Sequence, residues 1–173
     1  MKYSFLLLPA ILMLACTPPT EGRNMGEANA LFAKNSETVM ELIRDFDNEN
    51  IEGVLSHFAD SALWRPTTFG KTDPATLDDK MNGWKSAWEI YDFDLATTDL
   101  RLLPGVNMDQ NEPDGSVRVY FDWNLVLPAT DTTERKSVMV SYYESWDFNA
   151  DGKIWMTQIY GDETAAMVAL NDM

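Results

Sequence analysis

The sequence holds one cysteine and one histidine in 173 residues. A single thiol cannot close an intramolecular disulfide or build a thiolate-rich zinc site. A single imidazole likewise excludes a multi-histidine metal centre within one chain. Basic residues are scarce: 13 Lys and Arg stand against 28 Asp and Glu, for a net charge of −15. The cationic surface that phosphate contacts require is missing, so no nucleic-acid partner is expected. The acidic stretches 109–114 and 147–151 lack the spacing of a calcium-binding loop, and no phosphate-cradling glycine loop or serine-nucleophile motif occurs. Neither a metal nor a cofactor is implied. What is abundant is apolar: 45% of residues are hydrophobic and 12% aromatic, enough for one domain with a sizeable core. The acidic balance reads as a solvated surface.

The longest apolar run, residues 5–15, follows Lys2 and is eleven residues long. A mature membrane-spanning helix needs about 20, whereas a secretory signal needs fewer. The run ends Met13-Leu14-Ala15-Cys16, which resembles the bacterial lipobox, whose last residue is cleaved and lipidated. The resemblance implies a signal peptide over 1–15 and a lipidated Cys16 that anchors the chain in the cell envelope. Thr17, where Asp signals inner-membrane retention, points to the outer membrane. Residues 16–34, rich in Pro, Gly and polar side chains, read as anchor and tether.

The domain is expected over 35–173. Val39, Leu42, Ile43 and Phe46 fall at helical spacing with Asn35 or Ser36 as N-cap, and Ile51, Val54, Leu55 and Phe58 repeat it behind Asn50. A short strand over 61–65 is stopped by Pro66. A third helix begins at Asp73-Pro74 and carries Leu77, Met81, Trp84, Trp88 and Tyr91 on one face. The period then becomes two: strands are expected over 95–103, 117–127, 136–148 and 153–160, with a hairpin turn at 149–152 and a short closing helix over 163–170.

Helices first and an antiparallel meander after make an α+β domain. This order, with the stretches 146–155 (WDFNADGKIW), 160–162 (YGD) and 58–66 (FADSALWRP), resembles the SnoaL-like members of the nuclear transport factor 2-like superfamily. The resemblance implies a cone-shaped, curved, mostly antiparallel sheet with three helices closing one face over an apolar pocket. In the epoxide-hydrolase branch of that superfamily, an Asp on the last strand activates water. Alignment on Gly152-Lys153-Ile154 puts Ile159 at that position, which counts against that reaction because Ile accepts no proton.

On the aligned register the concave face carries Tyr120, Asp122, Asn124, Tyr142, Glu144, Trp146, Trp155 and Thr157, with Arg65 near the mouth. Asp122 and Glu144 are the candidate acid–base groups, since burial beside tyrosines raises a carboxyl pKa. The alternative is that they pair with Arg118, Arg65 or Lys136 as ordinary strand ion pairs. His57, near the end of the second helix, reads as a helix-terminal cation rather than a catalyst. Two functions stay open. One is a lipid-anchored domain that binds a small apolar or amphipathic ligand or a partner protein. The other is a lyase, isomerase or hydrolase using a pocket carboxylate. The first is preferred, with the membrane and a small hydrophobic ligand as partners and a homodimer left open.

Overall fold

The computed structural model describes residues 25–106 and 111–172. The signal peptide expected over 1–15, Cys16 and residues 17–24 lie outside this range. Helix α1 (Met25–Asp47) starts about ten residues earlier than the cap at Asn35 or Ser36 implies. Ala28, Phe32, Asn35, Val39, Leu42, Ile43 and Phe46 form one continuous stripe, which is the pattern that lets a helix bury a face. Asn35 is buried within it, and its side-chain amide donates to the Gly115 carbonyl at 2.8 Å. Residues 25–34 are therefore helix and not tether: Ala28 is buried and Phe32 packs on the core.

Asn50 caps α2 (Ile51–Ser56), accepting from the Gly53 amide at 3.2 Å. Strand β1 (Phe58–Arg65) begins three residues before the expected start, with Phe58 buried as its first residue. It pairs antiparallel with the two-residue β2 (Ala75–Thr76). Helix α3 (Leu77–Trp88) is capped by Thr76 rather than Asp73: the Thr76 hydroxyl accepts from the Asp79 amide, and the Asp79 carboxylate accepts from the Thr76 amide at 2.9 Å. This reciprocal capping box satisfies two otherwise orphaned donors. The single strand expected over 95–103 is two, β3 (Asp92–Leu95) and β4 (Arg101–Val106), both paired with β5 (Pro113–Leu127). Between them the chain leaves the ladder, and Thr97 Oγ1 takes the Asp122 amide hydrogen at 2.8 Å. Strands β6 (Lys136–Phe148) and β7 (Ile154–Tyr160) follow, joined by a turn in which Asn149 Oδ1 accepts from the Asp151 and Lys153 amides. Gly152 closes that turn at φ +75°, a conformation glycine adopts without a Cβ clash. Helix α4 (Glu163–Asp172) ends the described chain.

The sheet runs β2-β1-β7-β6-β5-β3, with β4 also on β5. It is open and mixed: β1 and β7 are parallel and the other pairs antiparallel. Among the described residues the architecture is α+β with four helices, α4 being the closing helix expected over 163–170. Helix α1 lies on β5, α4 on β6 and α3 on β1, so the helices cover one face of the sheet. No helix among the described residues is long and apolar enough to cross a membrane.

Candidate functional site: a carboxyl beneath the helices

The β5–β6 register decides which side chains face the helices. Phe121 opposes Tyr142, Val119 opposes Glu144 and Val117 opposes Trp146. Because side chains alternate in strands, Val117, Val119, Phe121, Trp123 and Leu125 share the inner face with Val140, Tyr142, Glu144 and Trp146. All nine are buried. The apolar set of β5 faces in because burying it removes far more apolar area from water than burying the polar set.

Under α3 this inner face leaves a cavity of about 320 Å³, a volume in the range of small-molecule sites. Its floor is Phe121 and Trp123 on β5, Tyr142, Glu144 and Trp146 on β6 and Ile159 on β7. Leu42, Ile43 and Phe46 of α1 close one side, and Lys80, Gly83 and Trp84 of α3 form the roof. Glu163 and Met167 reach in from α4. Phe46 ties the roof to the wall by edge contacts to Trp84, Trp88 and Phe93, at centroid distances of 5.8, 5.0 and 5.6 Å. Such aromatic pairs add to the area they bury.

The placement of the sequence candidates divides cleanly. Tyr142, Glu144 and Trp146 line the cavity. Thr157 is on the same face, opposite Trp146, and wholly buried, but it packs beside the cavity rather than on its wall. Tyr120, Asp122 and Asn124 do not share this face. They oppose Tyr143, Ser141 and Met139, so they lie on the outer side of the sheet. The concave assignment of the polar β5 set was thus off by one residue in register, and one residue inverts a strand. Trp155, 42% exposed, is outside as well, and Arg65 lines an outer groove with Arg118, Tyr143 and Tyr160 instead of the mouth. Asp122 accepts from the Thr97 hydroxyl at 3.4 Å and has no access to the cavity. Ile159 does reach the cavity wall. His57 caps α2 and pairs with Asp45 at 2.9 Å, away from the cavity.

Glu144 is the unusual group. It is 7% exposed, and among the described residues no side chain or amide hydrogen-bonds its carboxyl. The expected strand ion pair goes elsewhere, since Arg118 binds Asp147 at 3.0 Å. Burial pushes the Glu144 carboxyl up to about 8; the Lys80 ammonium opposes that rise and the Glu163 carboxylate adds to it. At neutral pH the group is therefore largely undissociated, because an ionised carboxylate in an apolar site without a partner is costly. Tyr142 beside it donates to Glu163 Oε1 at 3.2 Å. Its phenol is held above its usual range first by burial, then by the Glu163 charge and hydrogen bond and by Glu144. Lys80 and Glu163, both on the cavity, were absent from the sequence candidates. Lys80 could have been found, because it sits one helical turn before Trp84 and so shares its face.

Among the described residues no cluster of three or more His, Cys, Asp or Glu side chains is placed to hold a metal ion. The site is thus a mostly aromatic chamber with one buried, titratable carboxyl and a mouth edged by Lys80, Asp79 and Glu163.

The fold has clear counterparts. A candidate polyketide cyclase from Xanthomonas campestris superposes with a TM-score of 0.61 at 14% identity, covering 81% of this chain and 98% of that one. A candidate SnoaL-like polyketide cyclase from Shewanella denitrificans gives 0.57 at 8% identity over 80% and 96%. A nuclear transport factor 2-like protein from Burkholderia xenovorans gives 0.56 at 12% identity over 80% and 95%. No family model matches the sequence, and no curated protein does. At these identities the likeness shows the fold: the chain has the architecture of the SnoaL-like, nuclear transport factor 2-like proteins.

Proposed function

We propose that this domain admits a small, mostly apolar molecule beneath α3, oriented by Glu144, at a membrane to which lipidated Cys16 holds the chain. The observation that carries the reading is the unpartnered Glu144 carboxyl in an aromatic cavity. A buried polar group with no protein partner costs about 1–3 kcal/mol, and a ligand that supplies the partner recovers that cost. Displacement of the apolar fluorophore N-phenylnaphthylamine tests it. The wild type should show one saturable site, Glu144→Leu should weaken binding of oxygen-bearing competitors by about tenfold, and Glu144→Gln by less. Absence of any saturable site would count against the reading.

The membrane part rests on the lipobox-like Met13-Leu14-Ala15-Cys16, and Thr17 extends it to the outer membrane. Cys16→Ser should release the protein from the membrane fraction or leave its precursor uncleaved. Normal maturation and unchanged membrane association in that variant would end it.

A second reading has its own support. A carboxyl titrating near 8 can give and take a proton at neutral pH, as a lyase, isomerase or hydrolase requires. Tested as proton exchange next to the carbonyl of apolar ketones, the activity should fall by about 100-fold or more in Glu144→Gln. An unchanged rate in that variant would remove Glu144 from the chemistry.

A further inference from the structure

The donors and acceptors around the cavity do not balance. Of the three carboxyl groups on its wall, two already have partners: Asp79 accepts from Thr76, and Glu163 accepts from Tyr142. Besides the Trp146 indole nitrogen, two donors on its wall have no acceptor. Lys80 is half-buried, its ammonium lies 5.9 Å from the centre of the Trp84 ring, and among the described residues no carboxylate stands within ion-pair distance of it. No lysine among the described residues forms an ion pair; what sets Lys80 apart is that it lies on the wall of an apolar cavity. The second is the Glu144 carboxyl, buried at the cavity floor. A ligand that satisfied both would present oxygen acceptors and negative charge, and its remaining surface would meet Phe46, Trp84, Phe121 and Trp146.

We propose that the ligand is an amphipathic anion: an aromatic or apolar body bearing one carboxylate, whose oxygens face Lys80 and Glu144. The inference rests on the ligand-binding reading above and names its chemical class. Lys80 opposes the rise of the Glu144 carboxyl and Glu163 adds to it, so a ligand's negative charge is best placed towards Lys80 and away from Glu163. The groups facing Glu144 are Lys80 and Asp79 from α3, Glu163 from α4 and Tyr142 from its own strand; α1, β5 and β7 present only apolar side chains to the cavity. A carboxylate accepts from Glu144 only while Glu144 keeps its proton. Binding is therefore strongest below about 8 and weakens as Glu144 ionises above it.

The test is calorimetric titration of the full chain with naphthylacetate and with its uncharged amide, naphthylacetamide. At about pH 7 the carboxylate should bind about tenfold more tightly than the amide, as a charge-assisted contact implies. Its affinity should fall about tenfold or more by about pH 9.5. Lys80→Met should abolish the preference for the carboxylate. Glu144→Gln, which keeps a donor but cannot titrate, should keep the preference and lose the pH dependence. Equal or tighter binding of the amide overturns the anion while leaving the ligand-binding reading intact. Binding of neither probe overturns both. A pH dependence that survives in Glu144→Gln removes Glu144 from the contact.

Discussion

Strands β5 and β6 present two chemistries from the same backbone. Their inner face holds Phe121, Trp123, Tyr142, Glu144 and Trp146, all buried. Their outer face holds Tyr120, Asp122, Tyr143 and Asp147, each partly open to water. Acids occur on both, but the outer ones are answered: Asp147 by Arg118 at 3.0 Å, and Asp122 by the hydroxyl and loop of Thr97. The inner acid, Glu144, is not. The outer tyrosines meet in tilted pairs with centroids 4.8 and 6.1 Å apart, and Arg101 lies 5.2 Å over Tyr120, which leaves that face locally complete. The inner face also carries the unpartnered indole nitrogens of Trp64 and Trp146 and the hydroxyl of Thr157, neighbours in one row across β1, β7 and β6. The side of the sheet that is more apolar is also the side whose polar atoms are less satisfied, and such atoms are where ligands or chemistry are found.

This contrast can be broken at several points. Trp146→Ala removes a buried ring from the inner face and should cost about 3–5 kcal/mol in urea unfolding, against less than about 1 kcal/mol for Tyr160→Ala on the half-exposed outer edge. Similar costs at the two sites would mean that the faces are not distinct in energy.

Next in size is the pH response. The folded-state value of Glu144, about 8, lies above its ordinary value of 4.5, so the native state holds a proton that the unfolded chain has lost. Its contribution is fully present below about 4.5 and is lost as pH rises through about 8, amounting to a few kcal/mol. Wild type should therefore lose stability over this window relative to Glu144→Gln, whereas Asp122→Asn should track wild type. Parallel curves for wild type and Glu144→Gln would show that Glu144 ionises freely.

Smaller effects belong to the roof and the outer ion pair. A Cβ on Gly83 meets nothing within 4 Å. Gly83→Ala should stabilise α3 by up to about 1 kcal/mol through helix propensity, while placing a methyl at the cavity wall. Arg118→Ala should cost less than about 1 kcal/mol in a double-mutant cycle with Asp147, because the pair is partly solvated.

The element order was legible because hydrophobic period and turn residues carry it: the 149–152 turn and β6 stand where the sequence puts them, and β5 starts four residues early, at Pro113. Glu144 was legible too, since Tyr142, Glu144 and Trp146 alternate on one strand face. The inward face of β5 was legible in principle, since Val117, Val119, Phe121, Trp123 and Leu125 are apolar and Arg118, Tyr120, Asp122 and Asn124 alternate with them. The register aligned through Gly152-Lys153-Ile154 put the polar set inside instead, against that hydrophobic contrast. The start of α1 was missed because Gly26, Glu27 and Lys34 gave residues 25–34 the composition of a linker. Burial of Ala28 and Phe32 outweighs that composition.

The parallel pairing of β1 with β7 has a consequence in time. Phe58 finds Ile154 about a hundred residues further along the chain, and joining segments so distant slows folding. Until β7 is in place, β1 has only the two-residue β2 beside it, and its other edge is an unpaired template for any passing strand. The cavity is equally late, because Ile159, Glu163 and Met167 come from the final fifteen or so residues of its wall-forming chain. During synthesis the protein is thus a sheet without its cavity, and its period of greatest exposure to misassociation ends only when β7 and α4 arrive.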